Sequence, residues 1–135
     1  MEGQISQAEQ PLALDLPAIR QSVTRARQEA ARFAESVGAD RAAVELAVGE
    51  AVGNAVLHAY RDREGGRVII EGHLHSDELV VTIGDRGIGM RPDPGSTGLG
   101  FGLPLIAQLC KGLEITAQPD GGTDVRMRFA IGDAA

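Results

Sequence analysis

Cysteine is nearly missing from this 135-residue chain: Cys110 stands alone, so no internal disulfide can form. A reducing, cytoplasmic setting and a buried, inert thiol are the natural expectations. Basic residues are also scarce, 13 against 19 acidic ones for a net charge of −6. Phosphate backbones are held by clustered Lys and Arg, so DNA and RNA are poor partners. No apolar run approaches the roughly 18 residues that cross a bilayer, and the first residues lack a basic segment followed by an apolar one. Neither a membrane span nor a secretion signal is expected. Internal repeats, low-complexity tracts and internal linkers are absent as well. What is present, 43% hydrophobic and 24% charged residues, is ordinary for a soluble globule. One domain is expected from Pro11 to Ile131, with residues 1–10 and 132–135 as frayed ends.

Periodicity predicts the elements. Ile19, Val23, Ala26, Ala30, Phe33 and Val37 form one helical face, with Pro17 in the first turn and Gly38 as the stop. A second helix starts near Asp40, a capping residue type, and runs to about Tyr60, followed by an exit loop from Arg61 to Gly66. Val68, Ile70 and Leu74 alternate with Ile69, Glu71, His73 and His75. After a Ser76-Asp77 turn, Leu79, Val81 and Ile83 resume the alternation up to Asp85, which predicts an antiparallel hairpin. A Gly- and Pro-rich loop spans Arg86 to Thr97. A third helix runs from about Gly102 to Lys111, and a last hairpin pairs Leu113–Gln118 with Thr123–Ala130. This order implies an α+β fold, an antiparallel-dominated sheet covered by helices on one face.

Three segments carry chemistry. Glu50, Asn54 and His58 fall at i, i+4 and i+8 on one stripe of an otherwise apolar helix, a pattern that suits a metal and phosphate site. Asn54 offers a neutral oxygen to Mg²⁺, and Glu50 a carboxylate able to orient or deprotonate a hydroxyl. The plain alternatives are a solvated helix face for Glu50, a satisfied hydrogen bond for Asn54, and a polar helix end for His58. Next, Asp85 at a strand terminus can accept from an exocyclic amine such as that of adenine, while Gly87 and Gly89 let backbone approach a planar ligand. Asp and Gly also dominate ordinary turns. Finally, Gly98, Gly100 and Gly102 open into the helical run Leu105 to Leu109, where exposed N–H groups and the helix dipole favour phosphate. A flexible loop before a core helix is the plainer reading. No Gly-Lys-Ser/Thr occurs and no parallel βαβ unit surrounds the glycines, so neither a Walker loop nor a dinucleotide fold fits.

Taken together, Glu-x-x-x-Asn-Ala-x-x-His-Ala-Tyr, Asp-x-Gly-x-Gly and the Gly-x-Gly-x-Gly helix start occur in a telling order. Residues 40–130 resemble the GHKL ATPase superfamily of topoisomerases, heat-shock chaperones, sensor histidine kinases and mismatch-repair proteins. They more closely resemble the anti-sigma-factor serine kinases of the RsbW and SpoIIAB type. The resemblance implies a two-layer α/β sandwich, the Bergerat ATP-binding fold, with a mixed, mostly antiparallel sheet and three helices on one face. It implies ATP and Mg²⁺ as cofactors, Glu50 as general base, Asn54 as Mg²⁺ ligand and Asp85 as adenine carboxylate. Gly87, Gly89, Gly98, Gly100 and Gly102 match the glycines lining nucleotide and lid, and Gly122-Thr123 resembles the late Gly-Thr whose hydroxyl helps hold adenine. The activity implied is phosphorylation of Ser or Thr on a STAS-domain anti-anti-sigma protein, alternating with sequestration of an alternative sigma factor. Homodimerisation is implied too.

The match departs from pattern in the loop between Gly89 and Gly98, whose eight residues are shorter than the lid of sporulation-type kinases and are stiffened by Pro92 and Pro94. Its Gly-Leu-Gly-Phe-Gly-Leu-Pro stretch also resembles RsbT-type switch kinases, which need not hold a sigma factor. Arg86 and Arg91 are candidates for the triphosphate, or exposed loop charges. A non-catalytic, ATP-gated binding module is the other reading, which Glu50 disfavours. A histidine kinase would need a phosphoacceptor helix, and no His precedes residue 58. A topoisomerase or chaperone ATPase would need a transducer domain.

Overall fold

A computed structural model of the chain describes residues 11–59, 65–86, 103–119 and 121–132. In chain order its elements are β1 (Leu12–Pro17), α1 (Arg20–Val37), α2 (Arg41–Asn54), a π turn (Ala55–Ala59), β2 (Arg67–His75), β3 (Glu78–Asp85), α3 (Leu103–Leu109), β4 (Gly112–Ala117) and β5 (Thr123–Ala130). The strands form one sheet in the order β1-β2-β3-β5-β4. Among the described residues every ladder is antiparallel, which narrows the expected mixed sheet to an antiparallel one there.

Register divides the sheet into two faces. Leu14 opposes Ile70, Ile70 opposes Ile83, Ile83 opposes Val125 and Val125 opposes Ile115, so one row of apolar side chains crosses all five strands. A strand alternates its side chains between faces. The same face therefore carries Leu16, Val68, Val81, Met127 and Phe129, all buried with the helices in one core. The opposite face carries Glu71, His73, Thr82, Asp124, Arg126, Arg128 and Glu114. At its hairpin end Glu78 accepts from Lys111 Nζ at 2.9 Å and Arg128 Nη1 at 3.1 Å. These two hydrogen-bonded cations, Lys111 first, hold the Glu78 carboxyl below its ordinary value.

Local chemistry sets the element ends. Asp40 Oδ1 accepts the Ala43 N–H at 3.2 Å and so caps α2. Gly38 ends α1 at φ 84°, the left-handed conformation that glycine adopts most easily. Ala26, Ala30 and Ala34 are buried along α1, and such short side chains let α1 and α2 approach closely. Arg27 of α1 lies across Gly49, its Cδ only 2.8 Å from where a Cβ would sit, and reaches Glu45 at 3.4 Å. Cys110 donates its thiol to the Ile106 carbonyl at 3.2 Å, and burial raises its pKa above the ordinary value.

The structure corrects the sequence reading in four places. Pro17 ends β1 rather than opening a helix; as the last residue of an edge strand it needs no N–H for a further ladder. Helix α1 begins at Arg20, and Ile19 is its extended N-cap residue, 47% exposed instead of lying in the core. The second helix is α-helical only to Asn54 and then widens into the π turn; Tyr60 and residues 61–64 lie outside the described residues. Helix α3 stops at Leu109, short of Lys111, because the Lys111 N–H donates to the Arg128 carbonyl at 2.7 Å and leads the chain into β4.

Candidate functional site

Asp85 and Thr123 are direct register partners at the end of β3 and the start of β5. Both belong to the face covered by helices, and only 1% of Asp85 and 3% of Thr123 is exposed. A strand that otherwise presents Leu79, Val81 and Ile83 to the core thus ends by presenting a carboxylate, whose Oδ2 is sealed from solvent. Burying such a group is costly unless polar groups engage it. A carboxylate and a hydroxyl side by side offer acceptors to an amine and an acceptor or donor to a ring nitrogen.

Two glycines shape this end of the sheet. A Cβ on Gly122 would run into the Asp85 carbonyl oxygen, so a residue without a side chain is required where β5 begins beside β3. On the outer face, a Cβ on Gly84 would sit 2.6 Å from Asp124 Oδ1 and 3.7 Å from Arg86 Nη1. Arg86 therefore extends over the outer face, away from the side that Asp85 occupies. Asp124 is tied further by Gln118 Nε2, which donates to its Oδ2 at 2.6 Å. Neither Gln118, Asp124 nor Gly84 stood out in the sequence. The one available signal was that Asp124 directly follows the Gly-Thr pair.

Glu50 and Asn54 lie one turn apart on α2, Glu50 partly exposed and Asn54 9% exposed in the last α-helical position. Helix α2 and the π turn that continues it both pack against β3, the strand that ends in Asp85. The structure thus pairs Asp85 with Thr123 and carries Glu50 and Asn54 on a helix packed against the strand that ends in Asp85. The i+8 position of the stripe lies within the π turn, so α-helical spacing no longer dictates its direction. The side chain of His58 lies outside the described residues, as do Gly87, Gly89, Arg91, Gly98, Gly100 and Gly102. Among the described residues no cluster of three or more His, Cys, Asp and Glu side chains could hold a metal ion. A neutral oxygen such as that of Asn54 suits a cation that keeps most of its waters and phosphate ligands. An open groove of about 640 Å³ lies on another side of α2, between Ile19, Arg20 and Val23 of the α1 start and Gly53, Val56 and Leu57. It is apolar apart from Arg20 and contains none of these polar groups.

A one-sided antiparallel sheet, ending in a buried Asp–Thr pair beneath a helix that carries Glu and Asn one turn apart, defines a class of nucleotide-binding domain. Residues 16–129 match the histidine kinase-like ATPase domain, and the chain belongs to that family. It is similar to the anti-sigma F factor of Clostridium beijerinckii, with 34% identity over 95 residues that span 61% of this chain and 65% of that protein. It is similar also to the serine-protein kinase RsbW of Listeria innocua, 34% identical over 79 residues, 56% of this chain and 50% of that one. The chain thus spans about two thirds and one half of these relatives. Among solved structures, the RsbU and RsbW domains of a Mycobacterium tuberculosis protein share its fold with a TM-score of 0.70, 24% identity, and coverage of 93% of this chain and 34% of that one. The Acinetobacter baumannii histidine kinase AdeS follows at a TM-score of 0.54 and 16% identity, over 96% of this chain and 72% of that chain. No helix among the described residues is long and apolar enough to cross a membrane.

Proposed function

We propose that this chain is an ATP-dependent serine/threonine protein kinase of the anti-sigma type. Its substrate is a hydroxyl on a STAS-domain anti-anti-sigma protein, and its other partner an alternative sigma factor, which it holds as a homodimer. The observation that carries the reading is the pairing of Asp85 with Thr123 at the buried sheet end, in a chain of the histidine kinase-like ATPase family. The donor set fits an adenine nucleotide: Asp85 accepts from the exocyclic amine, the Thr123 hydroxyl supports the ring, and Gly122 keeps the strand ends tight. Asn54 would hold Mg²⁺, which supplies charge neutralisation to the phosphates.

Glu50 is partly exposed one turn before Asn54, where a protein hydroxyl can reach it. In this reading it takes the proton from the attacking hydroxyl, and α2 fixes its distance to Asn54. Phosphoryl transfer needs placement and charge stabilisation more than covalent help, so rigid spacing on one helix is a suitable frame. The similarity to proteins named anti-sigma F factor and serine-protein kinase RsbW favours a protein substrate over free water.

Transfer of γ-labelled phosphate from Mg·ATP to STAS-domain proteins of the same cell tests this, with wild type and Glu50→Gln compared after ATP binding is measured in both. Label on Ser or Thr of one partner, reduced about 10²-fold or more by Glu50→Gln, is expected. No label on any partner with ATP binding intact would leave a nucleotide-gated binding module instead.

A further inference from the structure

Asp124 and Thr123 are neighbours on β5, yet they face opposite ways. Thr123 lies under the helices beside Asp85, and Asp124 lies on the open face. Asp124 is held there from two sides. Gln118, in the link between β4 and β5, donates to its Oδ2 at 2.6 Å. Its Oδ1 rests on the bare backbone of Gly84, at a point that Arg86 Nη1 also approaches. Opposite charges crowding one point attract at short range. The tie spans three strands, since Asp124 pairs with Gly84 on β3 and with Thr116 on β4.

Strand ends fray, and β5 begins only at Thr123, immediately after the turn. A first residue that frays would carry the Thr123 hydroxyl away from Asp85. The backbone already holds this point, with the Gly122 carbonyl accepting the Gln118 N–H at 2.6 Å and Thr123 paired with Asp85 and Ala117, and the Asp124 side chain adds a second tie to the same Gln118. We infer that Asp124 is a positioning residue for base selection: anchored by Gln118 and seated on Gly84, it holds Thr123 and Asp85 in the register that distinguishes adenine from other bases. This rests on the nucleotide reading above.

The test compares ATP with ITP, which replaces the 6-amino group by an oxygen that faces the Asp85 carboxylate unfavourably. Kd values are measured for wild type, Asp124→Ala, Asp124→Asn, Gln118→Ala and the double Asp124→Ala/Gln118→Ala variant. Wild type should prefer ATP by about tenfold or more. Asp124→Ala and Gln118→Ala should each cut that preference about threefold or more. Asp124→Asn, which keeps an acceptor for Gln118, should restore most of it, and the double variant should lose no more than either single one. In nucleotide-free protein, amide exchange at residues 122–125 should quicken about tenfold in Asp124→Ala, with Tm nearly unchanged. Should Asp124→Ala fail to fold, Gln118→Ala reads the same bond from its other partner. If wild type discriminates and both alanine variants discriminate equally well, or weaken ATP and ITP alike, the positioning role is overturned while the nucleotide site stands. If wild type binds no ATP, or binds both nucleotides equally, the site reading falls and the positioning role with it.

Discussion

The two ends of the sheet hold carboxylates in contrasting settings. At the hairpin end, Glu78 sits on the open face between Lys111 and Arg128, neutralised by two cations that solvent also reaches. At the other end, Asp85 is buried on the helix face beside Thr123. Glycines serve both ends differently. Gly112 makes room for the side-chain guanidinium of Arg128, whereas Gly122 makes room for the backbone carbonyl of Asp85. The Glu78 cluster can rearrange with little loss, because exposed ion pairs are weak and their side chains long. The Asp85 end cannot, because its partners are backbone and buried side chains. Fixed packing is found at the end to which the nucleotide reading assigns the base.

Replacing Asp85 by Asn breaks the comparison most strongly. It puts a donor where an acceptor is required, and the affinity for ATP should fall about 10²-fold or more by calorimetric titration. Next in size is the contrast between two glycines. Gly122→Ala forces backbone apart and should lower Tm by several degrees, at about 1–3 kcal/mol, and weaken ATP as well. Gly112→Ala only displaces the end of the Arg128 side chain and should stay within about 3 °C of wild type. Calorimetric scans of the two variants decide it, and equal losses would show that the ends are alike after all.

The smallest effect belongs to pH. The Glu78 carboxyl is lowered in the folded chain, chiefly by its hydrogen bond to Lys111 and then by Arg128. A group with a lowered folded pKa stabilises above its unfolded pKa, about 4.3 for Glu, and ceases to do so as pH falls through the folded value. Wild type should therefore melt slightly above Glu78→Gln near neutral pH, the gap closing as pH drops below about 4. Added salt should shrink it as well.

Much of this was legible beforehand, for reasons that differ by residue. The two hairpins could be read because their alternation and turns are local, and Asp85 could be placed at a strand end for the same reason. The Glu50–Asn54 spacing stood out because the rest of that helix is largely apolar. Strand β1 escapes a local reading although Leu12, Leu14 and Leu16 alternate, because Pro17 suits a helix start equally well and its role is decided by pairing with Arg67, 50 positions further along. The π turn carries no sequence signature, as nothing in Ala55–Ala59 departs from an ordinary helical pattern. The Gln118–Asp124–Gly84 contact was invisible for a simpler reason: it depends on β5 lying beside β3, a neighbour that only the fold decides.

The two-faced sheet also guards its own assembly. If β5 paired with β3 one residue out of step, every side chain on it would change face. Thr123, Val125, Met127 and Phe129 would turn to water, while Asp124, Arg126 and Arg128 would be driven beneath the helices without partners. A misaligned strand pair would thus be an unstable one, and chains that reach the folded state should carry Asp85 and Thr123 in a single alignment.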